Sequence, residues 1–205
     1  KKREYIILNS NKILDERNYK YFNELIIKRS LGKPIAYLTG KKDFWKNKFE
    51  IFEGILIPRP DTEIIIEQVL KFTKNKSKLN VLDIGVGSGC ILLSILEEKK
   101  NFCGIGIDIS RKSLEISKIN ANKLGLDGRV KFFKSDIDNF IDAKYDLIIS
   151  NPPYINNVEL NRLDDDVKFH EPKLALSGGS NGFRELIKII IKSRKLLKIN
   201  GKLIL

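Results

Sequence analysis

The 205-residue chain has no methionine, one histidine (His170), one tryptophan (Trp45) and two cysteines (Cys90 and Cys103). Two cysteines so placed make neither a disulfide framework nor a zinc site, which fits a reducing, cytoplasmic setting. The sequence holds no Cys/His or Ser/His/Asp constellation, and His170 reads as a structural or surface residue. No apolar run approaches the roughly 18–20 residues that cross a bilayer, so no membrane partner is expected. Lys1, Lys2 and Arg3 lead into a polar, helix-like stretch rather than the apolar core of a signal peptide. No GxxxxGK[ST] loop argues for ATP, and no internal repeat or low-complexity segment occurs. The absent initiating methionine is what a trimmed or partial chain would show.

Charge is plentiful, at 38 Lys+Arg against 26 Asp+Glu, a formal +12. Residues 1–50 carry 13 basic and 6 acidic side chains and residues 181–205 carry 7 and 1, whereas residues 51–180 carry 18 and 19. The basic character thus sits at the two ends and leaves the middle near neutral. It fits either a binding role for the ends or the Lys-, Asn- and Ile-rich usage of an AT-rich genome.

Residues 15–30 place Tyr19, Phe22, Leu25, Ile26 and Arg29 at helical spacing, which predicts an amphipathic helix stopped by Gly32 and Pro34. Residues 44–57 alternate around Phe49 and Ile51 and contain a glycine break, predicting a short β-hairpin. In PRPDTE (58–63) two prolines exclude regular structure, and Asp61 or Thr62 is placed to cap a helix reaching about Phe72. From Leu79 the pattern alternates. Strands are predicted at 79–84, 103–108, 130–134, 145–150 and 202–205, and helices at 88–98, 111–124 and 182–198. Short apolar strands between amphipathic helices mean an α/β fold of right-handed βαβ units in a doubly wound parallel sheet. The polar stretch 73–78 marks a boundary ahead of the first buried strand.

Four features carry chemistry. In VLDIGVGSGC (81–90), Asp83 ends a strand, and Gly85, Val86, Gly87, Ser88 and Gly89 form a turn that opens a helix. Its glycines let backbone approach a ligand, and the helix N-terminus supplies free N–H donors, although many α/β folds use such a turn structurally. Asp108 ends the second strand about 20 residues later, where an acid accepts both hydroxyls of an adenosine ribose. Asp136 follows the third strand and suits an adenine amino group, with Ile137 packing on the ring. The fourth is NPPY: Asn151, Pro152, Pro153 and Tyr154, directly after YDLIIS. Two prolines fix the backbone and remove its N–H donors, so Asn151 and the loop carbonyls present acceptors to a planar –NH2 group beside the aromatic face of Tyr154.

Together these features resemble the class I S-adenosylmethionine-dependent methyltransferases that act on planar amide or amino nitrogens. More narrowly, PIAYLTGKKDFW (34–45), LIPRPDTE (56–63), SNPPYI (150–155) and HEPKLAL (170–176) resemble the HemK-type protein-(glutamine-N5) methyltransferases, over nearly the whole chain. The resemblance implies a Rossmann-like fold, S-adenosyl-L-methionine as cofactor and no metal. As partner it implies peptide-chain release factors, methylated on the Gln of their Gly-Gly-Gln loop to tune translation termination, with no direct nucleic acid. It gives residues 85–89 the methionine part of the cofactor, Asp108 the ribose, and Asp136 and Ile137 the adenine. Asn151 borders cofactor and substrate; Asn151 and Pro152 hold the amide, and Pro153 and Tyr154 line the slot. Arg59, Thr62 and Glu63 close the cofactor pocket. Ile137 departs from the aromatic residue often found there.

By the same resemblance the chain divides into a partial helical substrate-recognition domain (1–43), a hairpin and PRPDTE linker helix (44–78) and a methyltransferase domain (79–205). Family members continue past residue 205 with strands that complete the sheet, so a C-terminally truncated domain with an uncovered apolar edge at 202–205 is expected. A DNA or RNA amino-methyltransferase sharing NPPY is the alternative, as is a catalytically silent adenosyl-binding module docking on the translation machinery. Asp164–Asp166 reads as a solvated loop rather than a metal site. Arg184, Lys188, Lys192 and Lys195 read as the wet face of a helix whose apolar side is Phe183, Leu186, Ile187, Ile190 and Leu197.

Overall fold

The computed structural model describes residues 3–141 and 144–205; Lys1 and Lys2, which open the expected 1–43 unit, lie outside the described residues. The chain starts with helices α1 (Arg3–Leu8), α2 (Glu16–Ser30) and α3 (Ile35–Thr39). Asp15 caps α2, its carboxylate accepting the Asn18 N–H at 2.9 Å, because the first helical N–H groups have no partner within the helix. No residue of α2 is buried, so Tyr19, Phe22 and Ile26 remain exposed.

The hairpin is shorter and earlier than its expected span of 44–57. Strands β1 (Lys41–Phe44) and β2 (Asn47–Glu50) pair antiparallel around a two-residue turn at Trp45–Lys46. That register puts Phe44 and Phe49 diagonally on one buried face, ring centroids 6.2 Å apart. Cross-strand aromatic contact of this kind outweighs the weaker alternation downstream, and Gly54 falls in a later turn, outside the hairpin. β1 also runs across residue 43, the expected first boundary. Pro60–Thr62 forms one 3₁₀ turn leading into α4 (Glu63–Phe72). Neither Asp61 nor Thr62 caps α4 through its side chain, contrary to expectation, because the 3₁₀ turn runs straight into α4: Thr62 is itself helical at φ −68° and ψ −17°, and the Glu63 N–H already donates to the Asp61 and Pro60 carbonyls.

Five parallel strands follow: β3 (Asn80–Ile84), then α5 (Cys90–Glu98), β4 (Cys103–Asp108), α6 (Arg111–Lys123), β5 (Val130–Lys134) and β6 (Tyr145–Ser150). Short helices α7 (Asn157–Leu160) and α8 (Asp165–His170), then α9 (Arg184–Leu196), lead to β7 (Leu197–Ile204). The strand order is β5-β4-β3-β6-β7. The expected α/β architecture is present, with order reversing between β3 and β6, the place where open sheets of this kind leave a crevice. Strand alternation builds two cores. Val81, Leu147 and Ile149 join α4, α5 and the hairpin on one face, while Leu82, Ile84, Ile107 and Ile148 meet Ile189 and Leu196 on the other.

Three expectations are corrected here. β7 begins at Leu197 rather than 202; Tyr145 pairs with Leu197 and Leu147 with Lys202, so an irregularity with Asn200 at φ 63° absorbs the excess residues. Asp165 and Asp166 start α8 instead of lying in a loop, and Asp166 faces Arg29 at 3.7 Å. The faces of α9 are rotated: Ile189, Ser193 and Leu196 are buried, while Phe183, Ile187 and Ile190 are exposed. Packing of Ile189 and Leu196 against Leu82, Ile84 and Ile148 of the sheet sets this facing. Lys188 and Lys192 turn toward Asp138, at 2.8 and 3.2 Å, instead of facing water.

Candidate active site

The turn after β3 requires glycine. Gly85, Gly87 and Gly89 have φ of 76°, 56° and 81°, a left-handed region that a Cβ disfavours. A Cβ on Gly85 would meet nothing within 4 Å, so the turn faces open space above the sheet edge. The Gly85 and Val86 N–H groups donate to the Ile107 carbonyl at 2.9 and 3.0 Å, binding the turn to β4. A polar face of α6 braces it from below. Ser117 Oγ donates to the Gly87 carbonyl at 2.8 Å, and Asn120 Nδ2 donates to the Ser88 carbonyl at 2.9 Å. Asn120 also accepts from the Glu50 N–H at 2.8 Å, joining the hairpin to the turn. Sequence reasoning missed these braces, although Ser113, Ser117 and Asn120 stand at helical spacing on a helix otherwise rich in charge.

Asp108 Oδ2 accepts from the Gly87 N–H at 3.0 Å and Oδ1 from the Ser110 N–H at 2.8 Å. Burial raises its pKa, and those two backbone donors offset part of the rise. A carboxylate has about four lone-pair directions, so two remain for hydroxyls. Asp83 is 1% exposed, and neither of its oxygens has a hydrogen-bond partner. Burial, with the charge of Asp108 as the second cause, pushes its pKa up to about 8. Ser88 Oγ is likewise buried without a partner. Burial also pushes the Cys90 thiol up to about 12, so Cys90 is no nucleophile near neutrality.

Asp136 follows β5 and is held by Lys188, whose Nζ donates to Oδ1 at 2.7 Å and to Oδ2 at 3.0 Å. Its pKa is lowered: burial alone would raise it, and the lysine outweighs that effect together with the Asp138 N–H. Ile137 is 6% exposed and packs in the core with Ile107, Ile148 and Ile189.

Asn151 follows β6 directly. Ser150 Oγ donates to the Ile84 carbonyl at 2.6 Å, so the NPPY loop leaves the sheet beside the glycine turn. Asn151 Nδ2 donates to Thr62 Oγ1 at 3.2 Å. Pro152 is buried, Pro153 half-buried and Tyr154 62% exposed. The residues after NPPY are clamped. Ile155 N–H donates to the Leu176 carbonyl at 3.0 Å, and Gly178 N–H donates back to Ile155 at 2.9 Å. A Cβ on Gly182 would lie 2.5 Å from the Tyr154 carbonyl, and one on Gly178 2.3 Å from the Gly182 carbonyl. These glycines were not singled out from the sequence; the signal was the run SGGSNG.

Of the other residues named from the sequence, Glu63 accepts the Trp45 N–H at 2.7 Å. Arg59 donates to buried Glu171 at 2.5 Å and to the Ile57 carbonyl at 3.0 Å, while Glu171 also accepts the Ile57 N–H at 3.1 Å. This closed ring ties LIPRPDTE to HEPKLAL. His170 is half-buried against Gly32.

Gly85–Gly89, Asp108, Asp136 and Asn151 thus lie along one carboxyl edge of a parallel sheet, at its reversal of strand order. Residues 75–205 match a family described as "Methyltransferase domain", and residues 1–40 match one described as "PrmC N-terminal domain". Fold and edge define a class I S-adenosylmethionine-dependent methyltransferase. The release factor glutamine methyltransferase of Buchnera aphidicola subsp. Acyrthosiphon pisum is 41% identical over 99% of this chain and 72% of its own length. That of Clostridium acetobutylicum is 39% identical over 98% of this chain and 72% of its own. The chain belongs to the release factor glutamine methyltransferase family. A ribosomal protein L11 methylase structure from Lactobacillus delbrueckii aligns at TM-score 0.49 and 20% identity, over 75% of this chain and 63% of that one.

The residues present fit the cofactor of this class. The glycine turn leaves open space beside the Gly85 backbone, and Asp108 keeps lone pairs free beside it. Among the described residues no helix is long and apolar enough to cross a membrane.

Proposed function

We propose that this chain transfers a methyl group from S-adenosylmethionine to the side-chain nitrogen of the Gln in the Gly-Gly-Gln motif of peptide-chain release factors. The observation that carries this reading is the place of NPPY. Its acceptors leave β6 alongside β3, one strand from the glycine turn, so amide and cofactor sites share one crevice. When bound, S-adenosylmethionine supplies an activated methyl group. Residues 85–89 and Asp108 hold its methionine and ribose ends, and Asp136 with Ile137 borders the adenine end.

An amide nitrogen is a poor nucleophile because its lone pair is conjugated with the carbonyl. What the chain must supply is therefore position. Asn151 Oδ1 and the Pro152 carbonyl accept the two amide hydrogens, aim the nitrogen and stabilise the positive charge that builds on it. Pro153 stiffens the loop and Tyr154 flanks the slot. The proton leaves after transfer, so no strong base is needed. The helical segment before the hairpin takes part in recognising the release factor, residues 44–78 link it to the chemistry, and residues 79–205 carry the chemistry, in the cytoplasm.

The test is incubation of the full-length protein with labelled S-adenosylmethionine and a release factor, followed by mass spectrometry of the Gly-Gly-Gln peptide. One methyl group on that Gln is expected. Label entering nucleic acid and not protein would overturn the assignment.

A further inference from the structure

We infer that Thr62 is a positioning residue for the reaction: by accepting a hydrogen bond from Asn151 Nδ2 it holds the Asn151 side chain in place, with Oδ1 left to the substrate. The inference rests on the proposed role of Asn151 as amide acceptor.

A primary amide is nearly symmetric in shape but opposite in hydrogen-bonding character at its two ends. Turned one way, Asn151 presents a carbonyl oxygen, which accepts from a substrate –NH2. Turned the other way, it presents its own –NH2, which repels that group. The Thr62 hydroxyl can donate as well as accept, so what it supplies is an anchor for the side chain, while Pro152 and Pro153 bring no N–H donors that would engage Oδ1. The side chain is held from across the crevice. Asn151 Nδ2 lies 3.2 Å from Thr62 Oγ1, so one end of the amide is engaged and Oδ1 is left for the substrate.

Thr62 is free for this because its side chain makes no cap to α4. It is also held on both sides. Three residues earlier, Arg59 is locked to Glu171 at 2.5 Å; one residue later, Glu63 accepts the Trp45 N–H at 2.7 Å. Glu171 lies in the segment that follows NPPY, so the two sides of the Thr62–Asn151 contact are fastened to each other a second time. A hydroxyl fixed so closely is suited to orient a partner, and the Asn151 amide is that partner.

The experiment uses the full-length protein with Thr62→Val, Thr62→Ser, Asn151→Ala and the double variant Thr62→Val/Asn151→Ala. It reads turnover on a release factor, and S-adenosylhomocysteine affinity by titration calorimetry, which also reports folding. Thr62→Val should lower kcat on the order of tenfold or more, as expected for a misplaced reactive group, with a clearly smaller loss of cofactor affinity. Thr62→Ser should keep most of the turnover. The valine change should cost nothing further once Asn151 is gone, since both act through one contact. Wild-type turnover in Thr62→Val beside an inactive Asn151→Ala overturns the inference alone. A loss in Thr62→Val that is matched by lost cofactor affinity, or that adds in full to Asn151→Ala, overturns it too. Wild-type turnover in Asn151→Ala overturns the reading beneath it. Should Thr62→Val fail to bind cofactor for want of folding, Thr62→Ala makes the same comparison.

Discussion

Replacing Asp83 by Asn tests the electrostatics at the base of the site. Asp83 is buried, neither oxygen has a hydrogen-bond partner, and its pKa moves from 3.8 to about 8, because burial disfavours the charge and Asp108 lies close by. The sign follows from proton counting. Below the unfolded value near 3.8 both states are protonated and folding carries no penalty. Between there and about 8 the folded chain holds one proton more than the unfolded chain. Stability therefore falls as pH rises, by about 1.4 kcal/mol per pH unit. Across the whole window the loss from this one group reaches roughly 6 kcal/mol, a large share of the stability of an ordinary domain. Above about 8 the slope vanishes.

Asn at this position does not titrate. Its unpaired amide costs about 1–3 kcal/mol at every pH, because a buried donor without a partner loses its hydration. Urea unfolding of both proteins at a series of pH values separates the constant offset from the slope. The stability of Asp83→Asn minus that of the wild type should climb by about 1.4 kcal/mol per pH unit between about pH 5 and 7.5 and then level off. Titrating groups that do not interact with Asp83 cancel in the difference. A difference that stays flat over that range refutes the reasoning.

Four further outcomes are expected. Gly182→Ala places a Cβ 2.5 Å from the Tyr154 carbonyl at a φ of 81°; it should cost about 2–4 kcal/mol, read by thermal unfolding, and lower turnover as the NPPY loop shifts. Glu171→Ala removes the buried acceptor of Arg59 and the Ile57 N–H and should destabilise by about 3 kcal/mol in urea; a neutral result would show that the ring is not a structural tie. Asp108→Ala should weaken S-adenosylhomocysteine binding at least about tenfold, since a ribose anchor serves ground and transition states alike. Asn151→Ala should instead lower kcat about a hundredfold at nearly unchanged cofactor affinity, and equal loss of affinity in both variants would undo this division of the site.

The sequence by itself determined the sheet and its glycine turn. Val81–Ile84, Cys103–Asp108 and Tyr145–Ser150 are short apolar runs bounded by polar turns, and such runs bury only as parallel strands between helices. Gly85, Gly87 and Gly89 stand where backbone needs positive φ, and that need is local. Prolines 152 and 153 likewise fix a loop without reference to anything distant. What lies across the chain was decided only by tertiary structure. The hairpin register followed from Phe44 meeting Phe49 in a shared core, which alternation alone did not rank. The facing of α9 followed from Ile189 and Leu196 meeting Leu82 and Ile148 of the sheet, which leaves Lys188 and Lys192 paired with Asp136 and Asp138, 50 or more residues away. Glu171 with Arg59, Asn120 with Glu50, and Thr62 with Asn151 are contacts between segments 70 to 112 residues apart. Periodicity sees a helix turn or a strand pair. It cannot see which buried polar group a distant side chain will satisfy, because that depends on where the folded core brings the two together.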